Sequence, residues 1–238
     1  MSSMTQAIAS SVVTHHDPMG AASEAFRVLR TNLQFMGLDK PLKSILVTSA
    51  TPGEGKSTVS SNLAVAFAQT GAKVCLVDAD LRRPMVAKLF GIDNWAGLTS
   101  ALIGQAGIDG SLRTTDVQGL TVLTSGPIPP NPSELLGSGR MSRLLEELEQ
   151  RFDMVLVDTP PVLAVTDAAV LAPKAGGVLL VTRAGQVARQ QVVRAKEALE
   201  AVKANVLGVV LDGVQTEGRD GYYYYYYQSH DKAHSSSR

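Results

Sequence analysis

The stretch Thr48-Ser-Ala-Thr-Pro-Gly-Glu-Gly-Lys-Ser-Thr58 decides how this chain folds. It fits the phosphate-loop pattern G-x-x-x-x-G-K-[ST], except that Ala50 stands at the first glycine position. An apolar run at 44–48 precedes it, and a helical pattern at 57–69 follows it. Its two glycines let backbone N–H groups approach phosphate oxygens, and the start of the helix adds the positive end of its dipole. The stretch therefore predicts a nucleotide site between a strand and a helix.

The side chains of this loop have distinct expected roles. Lys56 would reach the β- and γ-phosphates, and the Ser57 hydroxyl would bind Mg²⁺. An ordinary glycine-rich turn is the alternative, and the strand before the loop and the helix after it disfavour that alternative. The residues expected to bind the nucleotide are Pro52, Gly53, Glu54, Gly55, Lys56, Ser57 and Thr58.

Two further apolar runs end in aspartate. Asp78 and Asp80 follow the run at 74–77, and Asp158 follows the run at 154–157. A single aspartate at the end of a strand is often a helix cap, but three of them beside a phosphate loop favour a metal site. Mg²⁺ prefers carboxylate, hydroxyl and phosphate oxygens, and an aspartate could also accept a phenolic proton.

Short apolar segments alternate with helical ones along most of the chain. The predicted strands are 44–48, 73–77, 120–124, 153–157, 178–182 and 206–211, and the predicted helices are 21–36, 57–69, 133–150 and 188–203. Continuous apolar strands that alternate with helices predict an α/β fold: a mostly parallel sheet with helices on both faces, in a single domain like a P-loop NTPase. The active site is expected at the carboxyl ends of the strands.

The ends of the chain differ from its centre. Residues 1–19 predict a disordered lead, 20–217 the P-loop domain, and 218–238 a flexible tail. A net charge of 0 argues against a general nucleic-acid or anionic-membrane surface. There is no signal-peptide pattern and no apolar run of ~18 residues, so the cytoplasm is the expected compartment. The single cysteine, Cys75, excludes an intrachain disulfide and disfavours an iron–sulfur ATPase.

All six tyrosines of the chain form one run near its end: Tyr222, Tyr223, Tyr224, Tyr225, Tyr226 and Tyr227. Tyrosine ordinarily scatters through a protein, because its ring buries well while its hydroxyl finds a partner. Its confinement to the tail favours a chemical role, and phosphorylation is the chemistry that a nucleotide site supplies. A sticky low-complexity end is the alternative.

At these residues the chain resembles a bacterial tyrosine kinase (BY-kinase) of the capsular and exopolysaccharide biosynthesis type. The resemblance covers nearly all of the chain from Glu24 onward. It rests on PGEGKST at 52–58, VDADLRRP at 77–84, GPIPPNPSELL at 126–136, VDTPP at 157–161, the tyrosine run, and Glu24-x-x-Arg27-x-x-Arg30, which is similar to the family's oligomerisation motif.

The resemblance implies a protein-tyrosine autokinase that uses ATP and Mg²⁺ and phosphorylates its own tyrosine run, in trans within a ring-shaped homo-oligomer. The catalytic residues would be Lys56, Asp78, Asp80 and Asp158, with Asp80 orienting or deprotonating the tyrosine. The metal would be held by Ser57, Asp78 and Asp158. The subunit interface would contain Glu24, Arg27 and Arg30, although a surface ion pair is the simpler interpretation of these three.

The resemblance also implies partners. A membrane-anchored polysaccharide co-polymerase or activator protein would recruit the cytoplasmic chain to the inner face of the membrane, where the kinase would regulate polysaccharide synthesis or export. Other protein substrates are possible partners, and nucleic acid is not expected.

Two other functions stay open. One is a switch ATPase of the partitioning or septum-positioning kind, although these usually carry a second lysine where this chain has Thr51. The other is a non-catalytic, ATP-binding regulator of a membrane polysaccharide complex, which the intact loop and aspartates disfavour.

Two smaller points are also open. Arg82 and Arg83 would contact phosphate, contact a neighbouring subunit, or form a solvated turn, and Asp212 stands where the family pattern leads us to expect asparagine.

Overall fold

The computed structural model describes residues 12–37 and 41–214. Within these ranges one sheet contains the strands β1 Ser44–Ser49, β2 Val74–Asp78, β3 Leu112–Thr114, β4 Leu120–Leu123, β5 Met154–Asp158, β6 Gly177–Arg183 and β7 Val206–Asp212. Their order across the sheet is β3-β4-β2-β5-β1-β6-β7. All neighbouring pairs are parallel except β3 with β4. The predicted α/β fold with a mostly parallel sheet is confirmed.

Helices cover both faces of this sheet. They are α1 Val13–His16, α2 Ala21–Met36, α3 Lys56–Ala68, α4 Val86–Phe90, α5 Leu98–Ile103, α6 Ile108–Ser111, α7 Pro132–Gly137, α8 Gly139–Arg151, α9 Asp167–Leu171 and α10 Arg189–Ala201, with a 3-10 turn at Ala172–Lys174. Successive residues of β1 enter opposite cores, because side chains alternate across a strand. Leu46 joins the core that contains Leu148 of α8. Ile45 joins the core that contains Leu63 of α3.

Helix α3 is buried on nearly every side. All of its residues from Val59 to Ala68 are buried. The sheet lies on one side of α3, while α1 and α2 pack against it from the other. A helix enclosed in this way has no polar face, which explains why its sequence lacks the amphipathic pattern of a surface helix. None of the helices within residues 12–37 and 41–214 has the length and apolar character that a membrane crossing requires.

The expected disordered lead, 1–19, contains ordered structure from Val12 onward. In α1, the backbone N–H and the hydroxyl of Thr14 both donate to Asn62 Oδ1 at 2.9 Å. Gln69 Nε2 donates to the Thr14 carbonyl at 2.8 Å. A four-residue helix is not stable by itself and carries no periodic signal, so its order comes from these contacts with α3. Residues 1–11 and the predicted tail at 218–238 lie outside the described residues.

The helix predicted to run from Ser133 to about 150 is two helices, α7 and α8. Ser138 separates them with an extended backbone (φ −65°, ψ 157°), and its hydroxyl accepts a hydrogen bond from Met141 N at 3.3 Å. Serine competes well for this position because its oxygen satisfies a free N–H at the start of α8. The sequence also predicts Ser133 as the cap of this helix, but Ser133 lies inside α7 and its hydroxyl bonds to the Asp167 carboxylate.

Candidate active site

The phosphate loop leaves β1, which lies between β5 and β6 in the sheet. Gly53 and Gly55 have φ values of 88° and 89°, in the left-handed region that favours glycine. A Cβ atom on Gly55 would also lie only 2.3 Å from Asp212 Oδ2. The two glycines of the loop are therefore required by backbone conformation, and at Gly55 also by lack of space.

Parallel pairing brings two of the predicted aspartates side by side. Asp78 ends β2 and Asp158 ends β5, and the two residues are partners in the register of these neighbouring strands. Both are fully buried. Lys56 begins α3 beside them, with Nζ 2.7 Å from Asp80 Oδ2 and 4.0 Å from Asp158 Oδ1. The sequence-predicted catalytic residues are thus gathered at the carboxyl ends of three adjacent strands.

Backbone amides hold the Asp78 side chain. Its Oδ2 accepts from Met85 N at 3.1 Å and Val86 N at 3.0 Å, and its Oδ1 accepts from Asp80 N at 3.3 Å. Burial, followed by the charge of Asp158, raises the pKa of Asp78 to about 8. The carboxyl group is therefore fixed in orientation and costly to ionise unless a cation lies nearby.

Asp158 has no such support. Both of its carboxylate oxygens are buried and lack a hydrogen-bond partner among the described residues. Burial raises the pKa of Asp158, while the charge of Lys56 opposes that rise. The Ser57 and Ser60 hydroxyls lie near this carboxylate and also lower its pKa, but neither has the geometry of a hydrogen bond to it. An orphaned buried carboxylate of this kind fits a site that a cation completes.

Mg²⁺ fits this group of residues. No set of three or more His, Cys, Asp or Glu within residues 12–37 and 41–214 is arranged to bind a metal. Mg²⁺ is usually held by one or two carboxylates together with waters and substrate phosphates. Asp78, Asp158 and the Ser57 hydroxyl would therefore supply only part of its ligands, and a nucleotide and water would supply the others.

The Lys56 ammonium is the positive centre of the site. Burial alone would lower its pKa, but the charges of Asp158 and Asp80 outweigh burial, so the pKa of Lys56 is raised. Its Nζ also lies 3.3 Å from Ser57 Oγ. The lysine is thus charged at neutral pH, and it lies where the phosphate loop would place a nucleotide's phosphates.

The Glu54 side chain bonds within the phosphate loop, and the expected role of this residue in nucleotide binding stays a prediction. The residue is fully buried, and its Oε1 accepts from both the backbone N–H and the hydroxyl of Thr51. The Glu54 side chain thus ties the loop to itself. Thr51 occupies the position where switch ATPases carry a lysine, and here it supplies the donors for this internal bond.

Arg82 lies at the surface, with its side chain 40% exposed, but its guanidinium is paired inside the chain. Its Nε and Nη2 atoms donate to the two carboxylate oxygens of Asp167, at 2.9 and 3.0 Å. The sequence analysis missed Asp167, which begins α9 and is fully buried. Its only sequence signal was an aspartate at the start of a short helix. Arg83 is exposed.

The expected interface residues on α2 bond within the chain. Arg27 Nε lies 2.5 Å from Glu24 Oε2. Arg30 Nη1 donates to the carbonyl of Ala66, in the last turn of α3, at 2.9 Å. Such contacts do not test an interface between subunits, which stays a prediction. The tyrosine run at 222–227 lies outside the described residues.

Comparison with known proteins agrees with this geometry. The ParA family model, described as a NUBPL iron-transfer P-loop NTPase, matches residues 41–219. Tyrosine-protein kinase YwqD of Bacillus subtilis (strain 168) is 45% identical over 214 residues, which cover 89% of this chain and 90% of YwqD.

Two solved structures of similar chains are close in fold. The kinase domain of Escherichia coli tyrosine kinase ETK has a TM-score of 0.84 at 40% identity, covering 87% of this chain and 82% of that domain. The chimerical protein CapA2B2 has a TM-score of 0.82 at 42% identity, covering 85% and 89%. With its phosphate loop and its buried aspartates, this chain therefore belongs to the bacterial tyrosine kinases, enzymes built on the P-loop NTPase fold.

Proposed function

We propose that this kinase uses ATP and Mg²⁺ to phosphorylate its own tyrosine run at 222–227. The observation that carries the proposal is the contact between Lys56 Nζ and Asp80 Oδ2, 2.7 Å long, beside the unpartnered carboxylate of Asp158. One small site therefore contains a carboxylate that could bind a cation (Asp158), a lysine that could bind phosphate (Lys56) and a carboxylate that could accept a proton (Asp80). The six tyrosines supply an acceptor on the same chain.

The chemistry follows from these positions. Lys56 stabilises negative charge on the transferring phosphoryl group, and in doing so it exchanges its carboxylate partner for phosphate. Asp80 then orients the tyrosine hydroxyl and accepts its proton. The phenolic oxygen forms a bond to the γ-phosphorus, while the bond from that phosphorus to the β–γ bridging oxygen breaks, giving ADP and phosphotyrosine. Mg²⁺ neutralises charge on the β- and γ-phosphates when it is bound.

We place this reaction in trans, within a homo-oligomeric ring. The tail after Gly218 spans up to ~70 Å when extended, so it can reach the site of a neighbouring subunit. Glu24, Arg27 and Arg30 are candidates for the interface, because an arginine can pair bidentately with a neighbour's carboxylate. Six phosphates would add roughly −9 to −12 charges to a neutral chain, which should expel the tail and loosen the ring.

We assign the kinase to the control of capsule or exopolysaccharide synthesis or export. The support is the resemblance of residues 126–136 and of the tyrosine run to the polysaccharide-type family. A membrane-anchored activator or co-polymerase would stimulate the chain and recruit it from the cytoplasm to the inner face of the membrane.

Intact mass after incubation with ATP and Mg²⁺ tests the proposal. Wild-type protein should gain about 80 Da for each phosphate, while Lys56→Met and a chain truncated after Gly221 should gain none. Mixing the truncated chain, as kinase, with full-length Lys56→Met, as acceptor, should phosphorylate the acceptor if the reaction runs in trans.

Lack of a mass gain in wild type would call for a second assay with the cytoplasmic segment of a candidate activator. ATP hydrolysis without any phosphotyrosine, with and without that segment, would overturn the proposal in favour of a switch ATPase. Phosphorylation of Lys56→Met by wild-type protein but not by the truncated chain would indicate that the tail also takes part in activation.

A further inference from the structure

The loop that carries Asp80 has no regular secondary structure. It runs from the end of β2 to the start of α4 at Val86. Asp80 Oδ1 accepts a hydrogen bond from Arg83 N at 2.9 Å, and Asp80 Oδ2 contacts Lys56. A carboxylate on such a loop keeps its place only while the loop itself is anchored.

Arg82 supplies an anchor in this loop. Its guanidinium and the Asp167 carboxylate meet through two parallel bonds, the most specific geometry that this pair can adopt. The Asp167 side chain is fully buried, whereas the Arg82 side chain is 40% exposed. The arginine therefore reaches from the surface to a fixed charge inside the protein and binds the loop to α9.

A third segment joins the same cluster. Ser133, at the start of α7, donates its hydroxyl to Asp167 and accepts a bond from Arg82 Nη2 at 3.2 Å. Thr166 Oγ1 lies 3.1 Å from Ser133 Oγ. The loop after β2, helix α7 and helix α9 thus converge on the buried Asp167 carboxylate. Arg82, which binds this carboxylate, lies two residues after Asp80.

We propose that Arg82 and Asp167 are positioning residues that hold Asp80 in place for phosphoryl transfer. This inference rests on the proposed role of Asp80 in autophosphorylation. Loss of either charge leaves the loop without its bidentate anchor. A displacement of about 1 Å in a reacting group can cost roughly 100-fold in rate, so a modest shift of the loop matters. Neither residue needs to contact the nucleotide.

The test compares Arg82→Ala, Arg82→Lys, Asp167→Asn and the double variant Arg82→Ala/Asp167→Asn. Arg151→Ala is the matched control, because the ion pairs of Arg151 are with exposed Asp109 and Glu147. Phosphotyrosine formation gives kcat and the KM for ATP, and titration with Mg²⁺ and ADP gives nucleotide affinity. Each assay is run below the melting temperature of the variant.

We expect kcat to fall roughly 10- to 100-fold in Arg82→Ala and Asp167→Asn, with the KM for ATP and the ADP affinity within about threefold of wild type. Arg82→Lys should recover part of the loss, because lysine restores the charge without the bidentate fork. The double variant should be no slower than the slower single variant, since both changes remove one interaction. Arg151→Ala should match wild type.

Hydrogen exchange of the peptide spanning 79–85 gives a readout that does not depend on activity. Its amides should exchange faster in Arg82→Ala and Asp167→Asn than in wild type or Arg151→Ala. If Arg82→Ala does not fold, Arg82→Lys and Asp167→Asn carry the same comparison.

Three results would overturn the inference: a wild-type kcat in Asp167→Asn, multiplied losses in the double variant, or unchanged exchange at 79–85. A weaker ADP affinity with unchanged kcat in Arg82→Ala would instead make Arg82 a phosphate ligand, which also overturns it. If wild-type protein forms no phosphotyrosine even with an activator segment, the proposed function fails. Hydrogen exchange then still decides whether Arg82 and Asp167 anchor the loop.

Discussion

Two buried aspartates are held in opposite ways: Asp167 in the connection from β5 to β6, and Asp158 at the end of β5. Asp167 receives two bonds from the Arg82 guanidinium and one from the Ser133 hydroxyl. Asp158, fully buried as well, has no hydrogen-bond partner among the described residues, and Lys56 Nζ lies 4.0 Å away. The first carboxylate is complete within the protein, and the second is not.

The difference separates a structural charge from a functional one. Burying a charge is costly unless it is paired and hydrogen-bonded, so Asp167 is tolerated because its partners surround it. Asp158 lacks hydrogen-bond partners among the described residues, so its burial costs stability until a bound cation completes its environment. Functional sites commonly show this trade between stability and activity.

Replacing Asp158 with asparagine should have the largest effect. Tyrosine phosphorylation should fall by roughly 100-fold or more, because a charge that holds Mg²⁺ and phosphate is lost. The melting temperature should nevertheless rise, because the cost of burying a carboxyl group that has no hydrogen-bond partner is removed. Intact mass and thermal melting of the same sample measure both effects.

Asp167→Asn is the matched control for that experiment, since it changes a buried aspartate whose oxygens are all occupied. Its melting temperature should fall. A lower melting temperature for Asp158→Asn, equal to that of Asp167→Asn, would show that the two carboxylates contribute to the fold in the same way.

The two members of the Arg82–Asp167 pair should differ in their effect on stability. Arg82→Ala leaves a buried carboxylate without its cation, and the unfolding free energy should fall by about 3 kcal/mol. Asp167→Ala leaves a guanidinium that water can reach, and the loss should be smaller, about 1.5 kcal/mol. Urea denaturation measures both, with Arg151→Ala expected within about 0.5 kcal/mol of wild type. Equal losses in the two alanine variants would contradict this account of the pair.

The stability of the metal-free protein should depend on pH through Asp78. Its pKa is about 8 in the folded protein and 3.8 ordinarily. Between these values the folded state keeps a proton that the unfolded state has lost, so the unfolding free energy should fall as pH rises from about 4 to about 8 and then level. Below about pH 4 Asp78 is protonated in both the folded and the unfolded state, so its full contribution to the unfolding free energy is present.

Urea denaturation between about pH 5 and about pH 8, in wild type and in Asp78→Asn, measures this effect. The difference between the two proteins isolates the titration of Asp78 from that of other groups. A wild-type stability that rises with pH relative to the variant would show that the Asp78 carboxyl is already ionised at low pH.

Local patterns in the sequence predicted most of the fold. Helix α2 spans Ala21–Met36, the range predicted from its apolar spacing, and the phosphate loop lies between the predicted strand and helix. The predicted aspartates could be placed together because the carboxyl ends of neighbouring parallel strands meet at one edge of a sheet. These features depend on residues that are close in sequence, or on a general rule for parallel sheets.

The features that sequence could not supply depend on distant partners. Arg82 and Asp167 are 85 residues apart, and Thr14 and Asn62 are 48 apart. No local sequence pattern predicts either pair. Glu54 and Thr51 are only three residues apart, but the burial of the Glu54 side chain depends on the surrounding fold, which a local pattern does not show.

Cys75 extends the comparison to a buried group that has a neutral form available, and here the expected effect is smallest. It lies on β2, three residues before Asp78, and its thiol is free and fully buried. Burial raises the pKa of this thiol to about 12, so near pH 8 only about one molecule in ten thousand would carry the reactive thiolate. Native protein should therefore resist labelling by a thiol reagent, while protein unfolded in guanidinium chloride should label fully. Labelling of the native protein at the rate of a free thiol would mean that β2 opens readily. The buried carboxylates at this edge of the sheet would then meet water often, and their burial would not cost the stability expected above.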